Sequence, residues 1–242
     1  GKNLIGILKQ RKPWLVPFFF WISPFPEFPM FFNKIFNRFL DRGAVWLLSN
    51  ADALIFQSNL SIDMHKFFLG YDLNKIPSTI IYNGVSFEQF SPKKNTTNLE
   101  GHPKILISAS EYRLHKRLQE AVQLVNYISS SYPNVKMHIL GEPDKLTSNA
   151  IKDLDLSRCV FHGRLDPDDL PSLYASCDIQ LSLSIFDPCP NVVCEGLASG
   201  LPVITPVQSG AYELIGEENK IWSCDEHLNL DFKTLHIANN IP

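Results

Sequence analysis

With 45% hydrophobic and 19% charged residues, the 242-residue chain has an ordinary globular composition, large enough for one or two cored domains and unlike a disordered tail. Its formal charge of −3 excludes a global electrostatic pull toward nucleic acid or acidic lipid, so any anion site must be a local cluster. The five cysteines, Cys159, Cys177, Cys189, Cys194 and Cys224, include no CxxC pair, which suits reduced thiols in a cytoplasmic protein better than a disulfide framework or a zinc site.

Residues 1–86 are expected to form an amino-terminal domain and the passage out of it. The aromatic run from Trp14 to Phe32 invites comparison with a membrane span, which needs roughly 20 apolar residues in unbroken helix. Pro17, Pro24, Pro26 and Pro29 interrupt it, and Glu27 would sit in hydrocarbon. It reads as a buried strand and loop, the alternative being an interfacial patch that touches the inner membrane face or a partner chain. From Ala51, the pattern predicts a short buried strand, a helix capped near Ser58 and a second strand ending at Asn83-Gly84. Residues 87–103 are polar and read as a surface linker.

Residues 104–242 alternate. "KILISAS", "VKMHILGE", "CVFHGR", "DIQLSLS" and "LPVITPV" read as strands; "KRLQEAVQLVNYISSSYP", "DPDDLPSLYASC" and "NVVCEGLAS" read as helices. The first helix carries Leu118, Val122, Val125 and Ile128 on one face. The second opens on an acidic turn, in which Asp166 and Asp168 read as capping acids rather than as a metal-binding DxD pair. Short strands separated by helices imply an α/β domain with one doubly wound parallel sheet joined by right-handed crossovers.

In such a sheet, ligands lie beyond the carboxyl ends of the strands. That points to four loops, "EYRLHKR", "GEPDK", "HGRLD" and "IFDPCPN". In the last, Pro190 ends the strand and Asn191 is placed to cap a helix whose free N–H groups suit a phosphate oxygen. Helix polarity alone contributes about 0.3–1 kcal/mol, whereas charge-assisted bonds from Arg113, Lys116 and Arg117 would add roughly 1.5–3 kcal/mol each. The plainer alternative is a solvated basic turn. A micromolar ligand needs about 8 kcal/mol, so a nucleotide conjugate fits better than phosphate alone. Glu195, one turn into an otherwise apolar helix, needs a partner if buried, either a ligand hydroxyl or a protein amide. The single glycine of "GEPDK" speaks against dinucleotide and P-loop enzymes, and the seven histidines lack the spacing of a zinc helix.

These residues together resemble the retaining, nucleotide-sugar-dependent glycosyltransferases of the GT-B fold. "ADALIFQS" and "IYNGVSFEQFSP" resemble that group's interdomain passage, "SASEYRLHKRL" its phosphate loop, "FHGRL" its base-binding turn, and "DPCPNVVCEGLASGLPVI" its Glu-x7-Glu signature. The resemblance implies a Rossmann-like, carboxyl-terminal half of a GT-B fold that takes a UDP-, GDP- or ADP-linked sugar and needs no cofactor or metal. It implies that Arg113 and Lys116 hold the pyrophosphate and offset charge on the leaving group. Glu195 would accept hydrogen bonds from the ribose, Gly163 and Arg164 would form the base turn, Asn191 and Val192 would offer backbone N–H groups, and Asp187 would face the sugar.

Two residues depart from the group's pattern: Asp187 replaces its first glutamate, and Pro190 removes one backbone donor. The resemblance further implies that most of the amino-terminal domain is missing before Gly1, as are the closing helices after Pro242. The chain is then a fragment, a natural short form or half of a split enzyme. The implied setting is cytoplasmic, at most peripheral to the inner membrane face through Trp14–Phe32, with a glycan, lipid or small-molecule acceptor and a role in polysaccharide assembly. The alternatives are a non-catalytic nucleotide-binding subunit docked on an acceptor-binding chain and, more remotely, a sugar-phosphate isomerase.

Overall fold

The computed structural model describes residues 5–9, 12–16, 43, 45–69, 76–92, 96–185 and 187–216. Residues 17–32 of the aromatic run and Cys224 lie outside them. The chain divides into two compact units, Gly1–Tyr82 and Asn83–Pro242.

In the first unit, strands β1 (Ile5–Lys9), β2 (Lys12–Val16), β3 (Leu54–Phe56) and β4 (Ser78–Ile80) form a sheet of order β2-β1-β3-β4. β1 runs antiparallel to β2 and β3, and β3 and β4 are parallel. The helix between them, α1 (Asn59–Leu69), begins where expected. The Ser58 hydroxyl accepts a 3.0 Å hydrogen bond from the Ser61 N–H, satisfying one of the amides that a helix start leaves open. Leu48, Leu54, Phe56 and Ile76 make this unit's core.

The second unit carries five parallel strands, β5 (Lys104–Tyr112), β6 (Lys136–Pro143), β7 (Cys159–Gly163), β8 (Ile179–Leu181) and β9 (Val203–Ile204), in the order β7-β6-β5-β8-β9. This is the Rossmann-like, doubly wound sheet that the alternation predicts. Both faces are covered, as a parallel sheet requires. The two-residue period of β5 sends Ile105 and Ile107 to one side and Leu106 to the other. On the first side, α2 (Leu118–Ile128) buries Leu118, Ala121, Val122 and Val125 against Met137 and Ile139. That burial is worth about 5–8 kcal/mol of transfer free energy. On the second side, Leu106 and Leu140 meet Leu173, Tyr174 and Phe90.

Three details differ from expectation. A helix the pattern did not predict, α3 (Lys145–Ile151), follows β6; the Asp144 carboxylate caps it, accepting from the Thr147 N–H at 2.7 Å. The acidic segment 166–169 precedes α4 (Leu170–Tyr174) instead of forming its first turn. The N-cap residue is Asp169, and its side chain makes no capping bond. The unit boundary falls between Tyr82 and Asn83, so residues 83–103 belong to the second unit. Phe90 is buried there with Val85 and Leu99 beside it, and the Thr97 N–H donates to the Ser176 hydroxyl at 2.7 Å.

Candidate functional site

The chain leaves β5 toward β6 on one side and later returns to pair β8 on the other. Strand order therefore reverses at β5/β8, and a ligand crevice is expected beyond their carboxyl ends. A small crevice with room for about one water molecule lies there, lined by Tyr112 at the end of β5, Ser184 past β8, Lys116, Asp187, and Pro190 and Val192 where α5 (Asn191–Ala198) begins.

The cap of α5 is Pro190, with φ −69°, and no side chain caps the helix. Asn191, expected as the cap, is instead the first helical residue. Its Oδ1 accepts from the Asn83 side-chain amide at 2.7 Å, and that amide also donates to the Cys189 carbonyl at 2.7 Å. Cys189 and Cys194 occupy the two positions of a hydrophobic staple. The Cys189 sulfur accepts from the Asn83 N–H at 3.2 Å, and the Cys194 thiol donates to the Asn83 carbonyl at 3.5 Å. From beneath, the Gln180 amide donates to the Val192 carbonyl at 2.9 Å. The start of α5 is thus held by its neighbours, and no side chain caps its amino end.

Leu114–Lys116 form a 3-10 turn and Arg117, at φ 57°, swings the chain into α2. Lys116 Nζ meets Asp187 Oδ2 at 2.7 Å, with both side chains about one-fifth exposed. Arg113 turns to Glu111, with Nε and Nη2 each 2.8 Å from one carboxylate oxygen. Arg117 pairs with Glu120 at 2.9 Å. Each cation of the basic loop therefore has its own carboxylate. Of the residues expected at the site, the crevice brings together Lys116, Asp187 and Val192; Arg113, Gly163, Arg164, Asn191 and Glu195 are not among those lining it. Arg164 lies 3.7 Å from Glu142, both well exposed.

His115 sits within this charged loop. Burial and then the Lys116 charge lower its pKa to about 4, the Asp187 carboxylate opposing. An unfolded histidine titrates near 6.5. Between those values the folded protein binds fewer protons than the unfolded chain, so this contribution is whole above pH 6.5 and drains away as the pH falls toward 4. A shift of that size corresponds to about 3 kcal/mol. Urea unfolding of wild type and His115→Gln should give a stability difference that changes by about 2–3 kcal/mol between pH 7 and pH 4.5; a pH-independent difference would refute the linkage.

Glu195 is half-buried, and its Oε2 accepts a 2.9 Å hydrogen bond from the hydroxyl of Tyr174, which is wholly buried. Burial raises the Glu195 pKa, and the Tyr174 bond opposes that shift. The partner a buried glutamate requires is thus a phenol. Gly163 has φ +64° and open space where a Cβ would lie. Beside it, His138 Nε2 lies 3.0 Å from the Glu100 carbonyl, and His138 Nδ1 lies 3.0 Å from His162 Nε2. A carbonyl only accepts, so His138 carries its proton on Nε2 and His162 donates from Nε2, leaving His162 Nδ1 as an acceptor. Desolvation by burial lowers the pKa of both rings.

Among the described residues no group of three or more His, Cys, Asp or Glu side chains could hold a metal ion, and no helix is long and apolar enough to cross a membrane. Sequence reasoning missed Asn83, Tyr112, Tyr174 and Ser184. For Ser184 a signal existed, since a serine ending a strand that enters a predicted site loop is placed to face a ligand.

The parallel sheet and its switch-point crevice define a Rossmann-like α/β domain, the kind that forms the carboxyl-terminal half of a GT-B fold. Residues 89–232, more than half of the chain, match the family profile Glycosyl transferases group 1, and the chain belongs to that family. A curated relative, the uncharacterized glycosyltransferase MJ1607 of Methanocaldococcus jannaschii, is 25% identical over 158 residues, covering 59% of this chain and 40% of that protein. The chain thus spans less than half of that relative's length. Two solved structures share the fold. Sucrose-phosphate synthase from Thermosynechococcus elongatus aligns at TM-score 0.62 and 19% identity, over 91% of this chain and 54% of the other. Anabaena Alr3699/HepE, solved in complex with UDP-glucose, aligns at TM-score 0.60 and 19% identity, over 86% and 58%.

Proposed function

We propose that this chain is the donor-binding part of a retaining glycosyltransferase that moves a hexosyl group from a nucleoside-diphosphate sugar to a glycan, lipid or small-molecule acceptor. The observation that carries the reading is the meeting of Lys116 with the uncapped amino end of α5 in one crevice at the sheet's switch point. A cation and free backbone N–H groups suit the diphosphate in the ground state, and more so as charge builds on the departing nucleoside diphosphate. In this role they replace a metal ion. Arg113 joins them only by exchanging Glu111 for phosphate. Glu195 receives the ribose hydroxyls while Tyr174 fixes its other oxygen, and the open face of Gly163 with Arg164 admits the base. Asp187 faces the transferred sugar. The UDP-glucose held by the Anabaena neighbour supports a UDP-sugar as the first donor to try. The proposed setting is the cytoplasm, at most peripheral to the membrane, in polysaccharide assembly.

A second reading, a nucleotide-binding subunit without chemistry, is favoured by the Lys116–Asp187 pair, because the carboxylate that should face the sugar is engaged by the cation that should hold phosphate. Calorimetry with UDP, GDP and ADP tests what both share: binding of one at submillimolar concentration is expected, and no binding at millimolar concentration defeats both. Asp187→Ala separates them. Loss of transfer with nucleotide affinity retained supports the enzyme, whereas transfer restored by a partner chain irrespective of Asp187 supports the subunit.

A further inference from the structure

Seven buried side-chain polar atoms lack a hydrogen-bond partner among the described residues. Five, on Asn126, Thr147, Gln180, Ser199 and Thr205, belong to residues that do not line the crevice. The other two are Tyr112 Oη and Ser184 Oγ, on residues 1% and 6% exposed, and both residues line it. A buried hydroxyl without a partner costs stability, and native folds keep few of them without a reason outside packing. We propose that the hydroxyls of Tyr112 and Ser184 are ligand contacts, two neutral donors that join Lys116 in gripping the anionic diphosphate of the nucleotide.

The inference rests on the nucleotide-binding reading above and deepens it. The two residues come from different strands: Tyr112 ends β5, and Ser184 follows β8, the strands on either side of the switch point. Tyr112 reaches its place through a register shift in β5 between Ser108 and Glu111, an irregularity of the kind that re-aims a side chain beside a functional site. Burial raises the Tyr112 pKa well above its usual value, so the phenol stays protonated and can donate. The groups around them ask for an acceptor. Lys116 is cationic, the start of α5 carries the positive end of the helix dipole, and the Asp187 carboxylate is engaged by Lys116. A phosphate oxygen accepts only, so it suits a hydroxyl that has a proton to donate. Two uncharged donors thereby do what the sequence pattern assigns to Arg113, which the structure pairs with Glu111.

The test uses Tyr112→Phe and Ser184→Ala, each removing one oxygen, with UDP, GDP, ADP, the free nucleosides and inorganic pyrophosphate as probes. Each variant should bind the preferred nucleoside diphosphate and pyrophosphate roughly ten-fold more weakly, bind the nucleoside unchanged, and have a ligand-free Tm equal to or above wild type. A structural hydroxyl gives the opposite signature, a lower ligand-free Tm with unchanged affinity, and that result overturns the assignment. If wild type binds no nucleoside diphosphate but binds pyrophosphate with the same losses in the variants, the nucleotide reading fails and the anion contacts stand. If wild type binds neither, both fail.

Discussion

Lys116→Met is expected to weaken nucleoside-diphosphate binding roughly hundred-fold. Methionine keeps most of the length and packing of lysine and removes only the charge. The variant forgoes a charge-assisted bond to phosphate, worth roughly 1.5–3 kcal/mol. It also leaves the Asp187 carboxylate, 2.7 Å from Nζ in the native pair, without its counter-charge. An unpaired carboxylate at the mouth of α5 repels the incoming anion, which places the loss near the top of that range. Removing the second charge should therefore restore part of it: Lys116→Met/Asp187→Asn should bind several-fold more tightly than Lys116→Met, by equilibrium dialysis or calorimetry. A change under roughly three-fold in the single variant would mean that the crevice does not hold the diphosphate.

Gly141→Ala is expected to cost about 4 kcal/mol of stability, read as a fall of roughly 10 °C in Tm. Gly141 lies on β6 with φ +97°, in the region only glycine occupies freely. A Cβ there would lie 1.7 Å from the Ala109 carbonyl oxygen of the neighbouring strand. Backbone cannot step aside as a flexible side chain can, so the clash must part β5 from β6 or reverse the turn of the chain. Since β5 ends at Tyr112, the crevice should be damaged with the fold. A Tm within about 2 °C of wild type would show that the strands accommodate the methyl group.

The second unit was legible because its chemistry is local and periodic. Ile105, Leu106 and Ile107 alternate faces by the geometry of an extended chain, and the four apolar positions from Leu118 to Ile128 lie along one side of a helix. The loops followed from strand polarity alone. Side-chain partners were harder. Tyr174 reaches Glu195 across 21 residues, a distance over which no pattern speaks. The diversion of Arg113 could have been seen, since Glu111 and Arg113 are two apart at the end of a strand and so share a side. Asn191 lost the cap to Pro190, whose fixed φ already supplies the turn into the helix. The helix after β6 lacked a broad apolar face; only Thr147 and Ile151 of α3 are buried.

The pairing of Arg113, Lys116 and Arg117 with Glu111, Asp187 and Glu120 bears on how a ligand arrives. A mouth whose positive charges are cancelled projects little field beyond the Debye length of about 8 Å. On the proposed reading, diffusional capture would be largely unsteered and discrimination would wait for contact, when the entering anion comes to share the ammonium with Asp187. One ammonium would then hold two anions, and the carboxylate it keeps in place would stand beside the sugar that the diphosphate carries.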